Sequence, residues 1–120
     1  MRPWLLIAAI LGCSGVALGA YGHHALDDTG RTLFDTAVAY QMWHTLALLA
    51  VAWLGERGGA AAKTAHVVGA LFTAGIVLFS GSLYYLGVTG SLAVVHAAPT
   101  GGFLLIGGWI ALGIAGWRSR

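Results

Sequence analysis

Charge is what this sequence has least of. Only 8% of its 120 residues are Asp, Glu, Lys or Arg, against about 25% in a soluble domain. So few charges would not cover the surface of a soluble domain of this length, which excludes an ordinary water-soluble enzyme and a charged, disordered tail. Cysteine occurs once, at Cys13, so no intramolecular disulfide forms. Acidic residues number four, and none lies deep in an apolar run, so paired-carboxylate chemistry is absent from those runs. There is no P-loop, no Gly-x-Ser-x-Gly elbow and no His-Glu-x-x-His pair. No internal repeat is visible, which argues against an inverted-repeat transporter within one chain. No collagen-like period is present either.

What is there is apolar. Hydrophobic residues make up 58% of the chain, and mean hydropathy is +0.82. No charge occurs over residues 3–26, 36–55 or 64–117. A helix needs about 20 apolar residues to cross the hydrocarbon core of a bilayer. Lipid offers no partner for backbone N–H and C=O groups, so such spans are helical. The pattern predicts an all-α integral membrane protein, a four-helix up-down-up-down bundle. Its single domain covers 1–120, with spans at about 4–22, 36–54, 65–87 and 98–117. Links are expected at 23–35, 55–64 and 88–97, and Pro99 suits the first turn of the last helix.

Basic residues orient the bundle. With four spans, Arg2, Arg57, Lys63, Arg118 and Arg120 share one side, while Arg31 stands alone on the other with Asp27, Asp28 and Asp35. Lys and Arg are retained on the cytoplasmic side, so both termini are expected there, in a cell inner membrane. Trp4, Trp53 and Trp117 fall at the same ends, where an indole prefers the interface. The pI near 9.0 then reflects residues beside anionic headgroups rather than nucleic acid. Arg2 followed by an apolar run, and the segment Ile10-Leu11-Gly12-Cys13, have some character of a removable signal. Leu11 suits such a cleavage site poorly, and the first span is expected to be retained.

Helices in lipid associate through small residues and interhelical hydrogen bonds. Gly12, Gly15 and Gly19 with Ala8 form one face of the first span, and Gly107 and Gly108 belong to a stripe on the last. These are the expected packing positions. Polar residues align as well. Matching depths from the expected outer ends places Ser14, His44 and Ser80 in one layer, with Tyr40 and Gln41 near the depth of Tyr84. An intramembrane ionisable residue is a functional candidate, and the alternative is a neutral histidine that sets helix register. His23, His24, Asp27 and His96 are outer-side metal candidates of weak spacing, since adjacent histidines do not easily face one ion. Haem between histidines is disfavoured, because His66 lies at the inner end of its helix and His44 lies mid-membrane. No cofactor and no catalytic residue is expected.

Four blocks carry a resemblance. They are Gly19-Ala20-Tyr21-Gly22-His23-His24-Ala25-Leu26, Thr36-Ala37-Val38-Ala39-Tyr40-Gln41-Met42-Trp43-His44, Leu78-Phe79-Ser80-Gly81-Ser82-Leu83-Tyr84, and Ala98-Pro99-Thr100-Gly101-Gly102 running on to Gly108-Trp109. In this order the chain resembles the domain of unknown function 423 family of small membrane proteins, to which animal transmembrane protein 256 is similar. The resemblance implies a four-helix inner-membrane protein and supplies no activity. One departure is Ala98, where the family often has a threonine able to cap the last helix.

The leading expectation is a small non-enzymatic membrane protein, an accessory or structural component of a complex or homo-oligomer, with lipids as partners. The first alternative is a proton or small-solute channel or transporter using the His44 layer. The second is a metal-binding protein using the outer histidines.

Overall fold

The computed structural model describes residues 2–92 and 94–118. It contains four helices: α1 (Pro3–Ala25), α2 (Asp28–Gly55), α3 (Gly59–Thr89) and α4 (Ala97–Arg118). Each is long and apolar enough to cross a membrane. Short links make successive helices antiparallel, which brings the first and last described residues to one end of a 49 × 26 × 20 Å body. The principal packing runs α1 on α2, α2 on α3 and α3 on α4.

The helices outrun the apolar windows. The link expected at 23–35 shrinks to Leu26 and Asp27, and α2 begins at Asp28, two turns before Thr36. The cause is local. Asp27 is extended, and its Oδ1 accepts the Gly30 N–H at 2.9 Å. That satisfies one of the free amides at a helix start. Asp28 in the first turn suits the helix dipole and lies 3.6 Å from the Arg31 guanidinium. A helix carrying these charges extends beyond the hydrocarbon into the headgroup region. Asp27→Ala should therefore cost about 1 kcal/mol, measured as a lower melting temperature in detergent. No change would show that the cap is dispensable.

The second link is shorter than expected too. Only 56–58 separate α2 from α3, and the reversal uses Gly58 at φ 73° and Gly59 at φ 58°, a region that glycine enters without penalty. The third link opens with Gly90, left-handed at φ 75°, whose N–H bonds the Leu86 carbonyl. This is a glycine C-cap. Pro99 sits in the first turn of α4.

The apolar core joins Ala47, Leu48, Val51 and Leu54 of α2 to Ala65, Val68, Phe72 and Ile76 of α3, with Ala8 of α1 and Leu105 of α4. Most of it lies in the half nearer the termini. In the other half Phe34 of α2 is 2% exposed and fills the space that a Cβ would occupy on Gly22 of α1 (2.7 Å) and on Gly87 of α3 (2.9 Å).

Glycines set how closely the helices approach. A Cβ on Gly15 would lie 2.5 Å from Met42 Sδ, and one on Gly108 would lie 2.6 Å from the Phe72 ring. At Gly12, Gly19 and Gly107 the same distances are 3.8, 3.7 and 4.0 Å, which is ordinary contact. Three further tight positions are Gly69 under the Trp4 ring, and Gly75 and Gly101 where α3 crosses α4.

Candidate functional site

Most of the buried polar side chains come from α2. Helical spacing puts Gln41, His44 and Thr45 on its protein-facing side, and all three are 5% exposed or less. Their chemistry divides them into two clusters rather than one layer.

The first cluster centres on Gln41. Its Nε2 donates to the Leu11 carbonyl at 2.8 Å and to Ser14 Oγ at 3.0 Å, both on α1. Its Oε1 accepts the Tyr84 hydroxyl of α3 at 2.6 Å. An amide nitrogen has two hydrogens, and both are engaged. One side chain thus bonds to both neighbouring helices. Thr45 donates to the Gln41 carbonyl at 2.6 Å, a bond within α2. Ser80, 1% exposed, donates across to the Ala37 carbonyl at 2.7 Å.

The second cluster centres on His44. Its Nδ1 lies 2.6 Å from the Tyr40 carbonyl, and its Nε2 lies 3.0 Å from Trp109 Nε1 of α4. These partners assign the proton. A carbonyl only accepts and an indole N–H only donates, so Nδ1 carries hydrogen and Nε2 does not. The ring is neutral with both nitrogens bonded, and a second proton on Nε2 would face the indole N–H. Phe72 and Trp109 meet the imidazole edge-on at 5.5 and 5.7 Å, and Tyr40 stacks at 6.1 Å. A similar bond occurs near the terminal end of the bundle, where Trp4 Nε1 donates to His66 Nδ1 at 3.2 Å between α1 and α3. Each of the two bonds links a pair of helices that are not neighbours in the chain.

Of the residues placed in one layer, Ser14, Gln41 and Tyr84 meet, whereas Ser14 and Ser80 do not reach His44. Ser80 stands against Ala37, seven residues before His44 and about 10 Å away along the helix. The depth count took Thr36 and Val88 as the outer ends. The helices actually end at Asp28 and Thr89, which slides α3 about two turns along α2. Tyr40 packs its ring on Phe79 at 4.6 Å. Thr73 Oγ1 of α3 is buried without a hydrogen-bond partner.

Trp109 was not foreseen as the partner of His44. One signal was available: it lies mid-helix, and an indole N–H at membrane depth needs an acceptor. Helical side chains also lean toward the helix N-terminus, so Trp109 covers the turn that contains Ile106.

The outer histidines form no donor set. His23 and His24 meet edge to face at 5.1 Å, and Asp27 is used as the α2 cap. Among the described residues no three of His, Cys, Asp or Glu come together as metal ligands. Cys13 is exposed on α1.

Fold and site together define a class, the small all-helical membrane proteins with four spans and an internally bonded polar interior. Within it, residues 18–102 match the family model described as protein of unknown function (DUF423), and the chain belongs to that family. A UPF0382 membrane protein of Haemophilus influenzae is 38% identical, covering 99% of this chain and 97% of its own. The UPF0382 membrane protein YwdK of Bacillus subtilis is 39% identical over 96% of each. A Staphylococcus aureus UPF0382 membrane protein is 36% identical over 98% of each. No solved structure matches.

Proposed function

We propose that this chain is a non-enzymatic inner-membrane protein that serves as an accessory or structural component of a membrane complex or homo-oligomer. The observation that carries this reading is the way the polar interior is bonded. Gln41 uses both amide hydrogens and its oxygen on α1 and α3, and His44 uses both ring nitrogens on α2 and α4. Such groups set helix register and are not presented to a substrate. A proton relay through His44 would have to break the Trp109 bond and reverse the polarity of the ring.

The same reading places both termini and the link at 56–58 in the cytoplasm. Arg2, Arg57, Lys63 and Arg118 gather at that end, which is the retained side for basic residues. Arg120, counted with them in the sequence, lies outside the described residues.

Two measurements test the proposal. Gentle native purification with mass spectrometry should return a homo-oligomer or a defined larger complex, and a partnerless monomer would overturn it. Proton flux in proteoliposomes should stay at the level of empty vesicles for the parent and for His44→Ala. A parent flux that His44→Ala abolishes would replace this reading with the transporter one.

A further inference from the structure

Two aromatic side chains hold their polar tips where neither water nor a neighbouring helix meets them. Trp4, Trp109 and Tyr84 each donate to a side chain on another helix. Tyr21, Trp53, Tyr85 and Trp117 lie within about a turn of a helix end, where an indole or phenol reaches headgroups and water. Tyr40 and Trp43 do neither. Tyr40 lies twelve residues after Asp28 and Trp43 twelve before Gly55, so each is about 18 Å from the nearer end of α2. That is close to the centre of a hydrocarbon layer about 30 Å thick. Among the described residues, neither the Trp43 Nε1–H nor the Tyr40 hydroxyl has a hydrogen-bond partner. Their rings pack side by side at 5.1 Å, and Phe79 holds the Tyr40 ring at 4.6 Å. Trp43 is 57% exposed, and Leu46 beside it is 62% exposed. An indole N–H facing hydrocarbon forfeits the hydrogen bond it makes in water, so this face calls for an acceptor from outside the protomer.

Depth and chemistry name the occupant. Phospholipid ester oxygens lie at the edges of the hydrocarbon layer and do not reach its centre. The two missing bonds are complementary, since an indole N–H only donates and a phenol oxygen accepts. Basic residues retained on one side give every copy the same orientation, so two α2 helices that meet are parallel, with equal depths opposed. In a two-fold pair, residue i meets residue j and j meets i. Tyr40 and Trp43 are three residues apart, about 4.5 Å along the axis, an offset that an indole and a phenol span. We propose that a second copy of this chain covers the outward face of α2, and that each Trp43 Nε1–H donates to the Tyr40 hydroxyl of the partner subunit. The proposal rests on the homo-oligomer reading above and supplies its interface.

Cross-linking of the full chain in lipid vesicles tests it. Leu46→Cys in a Cys13→Ser background should form a disulfide-linked dimer on mild oxidation. The parent should not, because its Cys13 is exposed on α1. Trp43→Phe and Tyr40→Phe, each added to the Leu46→Cys chain, keep an aromatic ring and remove both symmetric bonds. Each should raise the protein-to-lipid ratio needed for half cross-linking about tenfold, and the two together should do no more than either alone. Val16→Phe, at an α1 position 67% exposed, should leave the ratio unchanged. Native mass spectrometry of the unsubstituted chain should show an even number of copies. Absence of the Leu46→Cys cross-link, equal cross-linking through Cys13, or an unchanged ratio in Trp43→Phe and Tyr40→Phe would overturn the interface. If an oligomer still appears by native mass spectrometry, the accessory reading survives that result. A monomer without partners would overturn both. A different protein lost from the complex in Trp43→Phe would overturn the second copy as the occupant and leave the accessory reading standing.

Discussion

Gly101→Ala is expected to drive α3 and α4 apart at their closest approach and to lower stability by about 3 kcal/mol, the upper part of the usual range for overpacking. An added Cβ would fall on the Phe79 backbone nitrogen and lie 2.9 Å from both the Gly75 carbonyl and Leu78 Cβ. None of these atoms can swing aside as the end of a long side chain does. The contact is reciprocal, since a Cβ on Gly75 would meet Leu105 Cδ2 at 2.5 Å and the Gly101 carbonyl at 3.0 Å. The two glycines allow backbone to approach backbone, which gives helices in lipid their dispersion contact. Unfolding in detergent, followed by circular dichroism, measures the effect. Gly113→Ala is the control, because its added Cβ meets nothing within 4 Å and helix propensity favours alanine by about 1 kcal/mol. Equal stability of the two variants would show that the crossing tolerates a wider separation.

The second large effect is expected at Gln41. Gln41→Leu keeps most of the volume and removes the bonds to Leu11, Ser14 and Tyr84. At about 0.6 kcal/mol per interhelical bond in a membrane, the loss should approach 2 kcal/mol. It should fall on the contacts of α2 with both α1 and α3. Thr45→Val should cost less, because the Thr45 hydroxyl bonds only within its own helix. A double-mutant cycle with Tyr84→Phe should return a coupling of about 1 kcal/mol. Zero coupling would mean that the 2.6 Å bond contributes nothing to association.

The sites of these two effects differed in how far the sequence revealed them. Gln41, Ser14 and Tyr84 were legible as intramembrane polar residues on three helices. Their meeting was near the depth count, because the long Gln41 and Tyr84 side chains span the remaining offset. Gly101 was one of several glycines in α4, and composition does not separate it from Gly113, which has open space around it. Only the crossing point of α3 and α4 distinguishes them.

His44 and Trp109 show the same limit. A histidine in the middle of an uncharged run stands out in any reading. Its partner did not, because the depth count rested on where apolar residues stop. An apolar window measures the hydrocarbon thickness that a helix crosses. It does not mark where the helix begins, and α2 begins in charged residues at Asp28. Phe34 illustrates the consequence, being assigned to a link in the sequence and filling the outer core in the structure.

The sequence by itself determined four helical membrane spans and the gathering of basic residues at one end. The reason is that lipid leaves the backbone no other way to satisfy its hydrogen bonds, and long uncharged runs cannot be hidden. Tertiary structure alone decided which polar residues meet. Register follows from where helices start and how closely glycines let them cross. Those are settled by the Asp27 cap, the Gly58 and Gly59 turn and the Gly75–Gly101 contact, each a local fit between atoms that hydropathy does not encode.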